Sequence, residues 1–177
     1  MKIGLVRHFE VERGYPNKLL TSDELLKWVG EYDASAVIEN DVHMRGIDWK
    51  RCFASDLTRA EYTARKVFGD NVVLLEELRE IRLSPLFRAK MKLPLFVHLL
   101  FIRLAWYFNH PSQPESRTAV VERIRRSLEN ILDSEEDVLI VSHGGIMMFM
   151  RKELMKLGFT GPKFGKPKNG EVYVFER

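Results

Sequence analysis

The 177-residue sequence predicts an α/β fold, a mostly parallel central sheet flanked by helices on both faces, with one helical insertion. Short apolar runs alternate with stretches of helical periodicity along most of the chain, the pattern of strands joined by crossover helices. Hydrophobic residues make up 45% and charged residues 30%, a balance that supports a buried core and argues against disorder. The length fits a single domain spanning 1–177, because domains run to roughly 100–200 residues.

Strands are expected at residues 2–6, 51–54, 71–75, 137–142 and 171–176, each rich in β-branched or aromatic side chains and bounded by polar residues or glycine. The first helix follows Thr21-Ser22-Asp23-Glu24, the spacing of a capping box, and places Leu25, Leu26, Val29 and Tyr32 on one face. A second helix, 57–68, starts after the good caps Ser55 and Asp56 and stops before Gly69. Val120, Ile124, Leu128, Ile131 and Leu132 mark a third, and 146–157 forms a fourth that closes at Gly158. Met147, Met148 and Met150 in that last helix read as core filler. Residues 84–110 break the alternation. They are long, apolar and basic, and are expected to be an insertion, helical from Leu95 onward, serving as a lid over the site, as a homodimer interface or as a shallow membrane contact helped by Arg88, Lys90, Lys92 and Arg103.

Composition narrows the function. The single cysteine, Cys52, excludes an internal disulfide framework and a thiolate zinc site. The first residues lack the apolar run of a secretory signal, and the most apolar stretch, 93–108, is interrupted by His98 and Arg103. A cytoplasmic protein without stable membrane insertion is expected. The net charge of +3 comes from 28 basic and 25 acidic residues, a mixed surface that suits a small anion and gives no nucleic-acid stripe. Arg88, Lys90 and Lys92, and separately Lys163, Lys166 and Lys168, are candidates for steering such an anion, against the more common reading as solvated faces. His43, His98 and His110 lack close metal-ligand spacing.

Three strands end in reactive sequence: Arg7-His8 after the first, Ser55-Asp56 after the second and Ser142-His143-Gly144-Gly145 after the fourth. In parallel sheets ligands bind at the carboxyl ends of the strands, so these segments can share one crevice. Arg59 falls in the first turn of a helix, where free N–H groups and the dipole favour an anion. Two arginines with two histidines point to phosphate, since guanidinium forks match its oxygens and a neutral imidazole attacks phosphorus. The glycine pair after His143 permits a tight turn and a close backbone approach to a ligand. Each of these residues alone is more often an ordinary exposed side chain; the combination is not.

Leu5-Val6-Arg7-His8-Phe9-Glu10, Ala54-Ser55-Asp56-Leu57-Thr58-Arg59-Ala60, Leu78-Arg79-Glu80 and Val141-Ser142-His143-Gly144-Gly145 resemble the signature blocks of the histidine phosphatase superfamily, in its phosphoglycerate mutase-like branch. Pro114-Glu115-Ser116 with Arg123 is a weaker fifth match. The resemblance implies a phosphoglycerate mutase-like fold in which His8 carries the phosphoryl group, Arg7, Arg59 and His143 hold its oxygens and Glu80 protonates the leaving oxygen. Glu10, Glu76 and Glu77 compete for the acid role by proximity in sequence or motif. It implies no cofactor. A metal held by His8, His143 and a carboxylate would face repulsion from the arginines.

The departures from the family pattern lie around the substrate. Phe9 replaces a glycine, Val11 stands where a hydroxyl residue is common, and the glycine-rich continuation after Glu80 is missing. Phe9, Glu10 and Asn17 are candidates for lining the substrate pocket. The expected protein is a metal-independent phosphatase acting on a phosphomonoester, with a small phosphorylated molecule or a phosphoprotein as substrate. A mutase needs a more elaborate closed pocket. A catalytically idle phospholigand-binding protein would have no chemical need for Arg7, His8, Arg59, Glu80 and His143 together.

Overall fold

The computed structural model describes residues 1–86 and 90–177; Arg88 lies outside the described residues. In chain order the elements are β1 (Lys2–Arg7), β2 (Glu10–Val11), α1 (Ser22–Asp33), β3 (Val37–Ile38), β4 (Arg51–Ser55), α2 (Thr58–Phe68), β5 (Val72–Leu75), a 3-10 turn (Glu76–Leu78), α3 (Leu95–Tyr107), α4 (Arg117–Leu132), β6 (Val138–Ser142), α5 (Gly144–Lys156) and β7 (Val172–Glu176). The five expected strands form one sheet in the order β5-β4-β6-β1-β7. All neighbours are parallel except β7, which runs antiparallel to β1 at the edge. The fold is thus α/β with a central mixed sheet flanked by helices. In the middle of the sheet, β6 is buried along its whole length, which is why its sequence is a continuous apolar run rather than an alternating one.

Register puts the strand ends level. Arg7 pairs with Ser142 across β1 and β6, and Ala54 pairs with Val141 across β4 and β6, so Ser55 and Ser142 finish together. Three segments far apart in sequence therefore end at one edge of the sheet.

The chain divides into two compact units, one of Met1–Glu10, Val37–Glu80 and Val121–Arg177, the other of Val11–Ala36 and Ile81–Val120. The first contains the whole five-stranded sheet. One of its apolar clusters joins Val6, Cys52, Ala54, Leu139 and Val141 from the strands with Ala60 and Ala64 of α2 and with Trp49. The alanines let α2 lie close against the sheet. Burial raises the Cys52 thiol to about 12, which leaves it an inert small hydrophobe.

The second unit brings residues 84–110 together with Val11–Ala36. Leu20, Leu25, Trp28 and Ile102 are buried together, with Tyr32 and Leu95 packed against them. The Thr21–Glu24 capping box of α1 is present in both directions. The buried face of α1 differs from the expected one: Leu25 and Trp28 are buried, whereas Leu26 and Val29 are 51% and 39% exposed. Trp28 wins the interior place because it offers the largest apolar area and its indole N–H reaches Gly14 O at 3.1 Å. The insertion is helical from Leu95, as its apolar density predicts. In α5, Met147 and Met150 are fully buried, but Met148 is 39% exposed and does not fill the core.

Candidate active site

The site belongs entirely to the sheet-bearing unit. Past the end of β1, His8 continues the ladder by donating its N–H to Ser142 O at 3.0 Å. Its ring Nδ1 lies 2.6 Å from the Phe9 carbonyl. A carbonyl only accepts, so Nδ1 bears the proton and Nε2 of the neutral ring keeps its lone pair. The Phe9 peptide is itself held: its N–H donates to Thr63 Oγ1 at 2.9 Å, and that hydroxyl donates to Arg59 O at 2.7 Å. Asn169 Nδ2 donates to His8 O at 2.6 Å, and Gly170 N–H donates to Arg7 O at 2.8 Å. Gly170 has a φ of +67°, and a Cβ there would come within 2.3 Å of the Asn40 amide. Only glycine fits.

His8 and His143 are 3% and 1% exposed, with ring centroids 5.0 Å apart. Burial, then the nearby Arg59 guanidinium, push His8 down to about 3, with Arg7 adding to the effect and the Phe9 carbonyl opposing it. Burial drives His143 well below its ordinary value, followed by His8, Arg59 and Arg7. Two neutral imidazoles beside two guanidiniums make a site for an anion. Ser55 Oγ lies 2.9 Å from His143 Nε2 and also accepts the Leu57 N–H. The other ring nitrogen of His143, Nδ1, and Arg7 Nε are buried with no hydrogen-bond partner among the described residues. Each such group costs about 1–3 kcal/mol unless a ligand satisfies it. Arg7 is aimed by its Nη1, which donates to Pro167 O at 3.0 Å.

Glu80 is placed by three successive contacts. Ser142 Oγ donates to Leu78 O at 2.8 Å, Arg79 grips Asp56 through both carboxylate oxygens, and the Gly145 N–H in the first turn of α5 donates to Glu80 Oε2 at 3.0 Å. A Cβ at 145 would stand 2.6 Å from Glu80 Oε1, so the second glycine makes room for the glutamate. The rival glutamates are placed differently. Glu76 pairs with Arg79, Glu77 is exposed with its carbonyl engaged by Arg123, and Glu10 is exposed. Arg123 also contributes to depressing His143.

Ser55 and Asp56 do not cap α2, whose N-cap is Leu57; one is drawn to His143 and the other to Arg79, because a buried imidazole and a guanidinium compete better for them than a helix terminus. The Phe9 ring is 0% exposed: it is core rather than pocket wall, and only its peptide serves the site. Asn17 is exposed and belongs to the second unit. Lys166 and Lys168 are exposed on either side of Pro167, the residue that receives Arg7; Lys163, Lys90 and Lys92 are exposed elsewhere. His98 is buried against Leu20 O, and His43 and His110 bond within their own turns. Among the described residues no group of three or more His, Cys, Asp or Glu side chains could hold a metal ion. Sequence does not single out Thr63, Asn169 or the Ser55–His143 link; the Ser55 hydroxyl at a strand end within a motif block is the one visible signal.

The family model of the histidine phosphatase superfamily (branch 1) matches residues 3–177. No curated protein matches by sequence. Solved structures with the same fold include YhfR of Bacillus stearothermophilus, at a TM-score of 0.62 and 18% identity over 99% of this chain and 90% of that one. The alpha-ribazole phosphatase of Shigella flexneri matches at 0.57 and 19%, covering 98% and 89%. The phosphoserine phosphatase of Entamoeba histolytica, solved with 3-phosphoglyceric acid, matches at 0.57 and 19% with the same coverage. Motif order, fold and family model agree: the chain belongs to branch 1 of the histidine phosphatase superfamily, and is one of its metal-independent phosphoryl-transfer hydrolases.

Proposed function

We propose that this protein hydrolyses the phosphomonoester of a small metabolite through a phosphohistidine on His8. The observation that supports this most is the Nδ1–H of His8 bonded to Phe9 O at 2.6 Å, which leaves Nε2 as a nucleophile held in one orientation, while burial keeps it unprotonated near neutral pH. In the first step the Nε2 lone pair attacks phosphorus and the P–O ester bond breaks. Glu80 delivers its proton to the departing oxygen. Arg7, Arg59 and His143 hold the three remaining oxygens, where fixed donors stabilise the charge of the transition state. In the second step water attacks phosphorus and gives its proton to Glu80 as the P–N bond breaks, which returns His8 to its neutral form and releases phosphate. The arginines supply the positive charge that a metal would otherwise bring.

Two of the solved relatives are named as an alpha-ribazole phosphatase and a phosphoserine phosphatase, and a phosphate ester of a small molecule is the class we take for this chain.

The test is turnover of para-nitrophenyl phosphate in EDTA, with acid quenching of the reaction. An acid-labile, base-stable phosphate on His8 is expected. Glu80→Gln should slow alkyl phosphates by about 10²–10⁴-fold and para-nitrophenyl phosphate much less, since its phenolate leaves unaided. Equal loss on both would remove Glu80 from the acid role, and phosphate trapped elsewhere would remove His8 from its own.

A further inference from the structure

α3 is apolar around its whole circumference, with Arg103 as its one charged residue. Its inner stripe, His98, Ile102, Ala105 and Trp106, is buried. Its outer stripe, Phe96, Leu100 and Leu104 at intervals of four, is 71%, 53% and 44% exposed, and Phe108 just past its end is 73% exposed. A helix that is hydrophobic on both faces while the protein covers one has a second apolar partner to find.

Charge says which. The stretch 81–114 holds five basic residues and none of the chain's 25 acidic ones. Lys90 and Lys92, shortly before the helix, and Arg103, on its outer side, are all exposed. A second copy meeting the helix about a two-fold axis would set Arg103 against Arg103 with no acid in the helix to answer it, while Lys92 has Glu24 beside it within the chain. An anionic lipid surface answers both features, taking the apolar stripe into the acyl boundary and the basic residues among its headgroups. The 13-residue helix is about 20 Å long by its rise per residue, and no described helix is long and apolar enough to cross a membrane. It would lie in the interface plane.

We propose that α3 is a peripheral docking surface for anionic membranes, seated through Phe96, Leu100, Leu104 and Phe108 and held by Lys90, Lys92 and Arg103. The outer stripe is already in water, so its replacement leaves the fold in place.

The experiment is co-sedimentation of the full chain with phosphatidylglycerol–phosphatidylcholine vesicles and with phosphatidylcholine vesicles alone. Two variants accompany it, F96S/L104S/F108S and K90E/K92E, with their melting followed by circular dichroism to show that they fold. Binding to the anionic vesicles only is expected, weakened about tenfold by raising salt from about 0.1 M to about 0.5 M and lost in both variants. Absence of binding, equal binding to zwitterionic vesicles, or binding that survives both folded variants overturns the proposal. So does a dimer mass in solution that the serine variant halves, which would make the face a contact between copies. A changed ranking of soluble phosphomonoesters by the serine variant without vesicles would make it a substrate lid instead.

Discussion

The strand ends of the sheet and the outer stripe of α3 break the same rule in opposite directions. At the ends of β1, β4 and β6 and in the first turn of α2, His8, Ser55, Arg59, Ser142 and His143 are polar and buried, three of them at 0–1% exposure. On α3, Phe96, Leu100 and Leu104 are apolar and exposed. The buried polar groups are tied down by partners distant in sequence, as with His143 to Ser55 and Ser142 to Leu78. The exposed apolar groups have one another and solvent. Burying polar groups costs free energy unless each is satisfied, so a cluster of them marks a place organised for a charged ligand. Leaving a phenylalanine in water forgoes burial worth about 1.5–3 kcal/mol, so a row of such residues marks a surface organised for contact.

The comparison breaks most sharply at His8. His8→Ala should lower para-nitrophenyl phosphate turnover by roughly 10⁴-fold or more, whereas Leu104→Ser should leave it unchanged. Near wild-type turnover in the alanine variant would mean that the buried cluster is not the reaction centre.

Within α3 the two stripes should separate by stability. Ile102, at 4% exposure, should cost about 2–5 kcal/mol when cut to alanine, and Leu104→Ser should stay within about 0.5 kcal/mol. Denaturant titration of both decides it; equal losses would show that the outer stripe is packed.

Thr63 sharpens the contrast from the site side. Thr63→Val keeps the shape but takes the acceptor from the buried Phe9 N–H, a loss of about 1–3 kcal/mol, and loosens the peptide that orients His8. Turnover should fall about tenfold where about 1.4 kcal/mol of it reaches the barrier, with KM nearly constant, and Thr63→Ser should restore it. A change confined to KM would place Thr63 in binding instead.

Acid offers a further way to break the buried cluster. His8 at about 3 and His143 well below 6.5 hold fewer protons folded than unfolded. Stability therefore rises with pH between the folded values and 6.5, and is lost on acidification through that window. The slope should reach about 1.4 kcal/mol per pH unit for each histidine. His143→Asn should remove one such share when unfolding is compared between about pH 5 and about pH 7; an unchanged slope would mean that His143 is not buried as a neutral ring.

Sequence went furthest where local rules and tertiary demands coincide. The apolar run of β6 reads as a buried parallel strand because nothing in its surroundings asks for alternation, and the Thr21–Glu24 box fixes the start of α1 through bonds no more than three residues long. It failed where two partners competed. Ser55 and Asp56 are good helix caps by residue type, yet a buried imidazole and a guanidinium, brought from 88 and 23 residues away, claim them. Leu26 and Leu25 look equivalent on a helical wheel until Trp28 fixes which way α1 turns.

Arg7, His8, Arg59, Glu80 and His143 were legible one by one, since each sits in a motif at the end of a strand or the start of a helix, and such positions are set by short-range pattern. That they meet was decided by the parallel register of β1, β4 and β6, which levels their carboxyl ends. The Phe9 ring shows the same division. Sequence gives the bulk at position 9; only packing decides that the ring turns into the core and the carbonyl faces the His8 ring. Residue type and spacing travel with the chain, but which of several chemically adequate partners a side chain takes depends on what the fold brings within about 3 Å, the reach of a hydrogen bond.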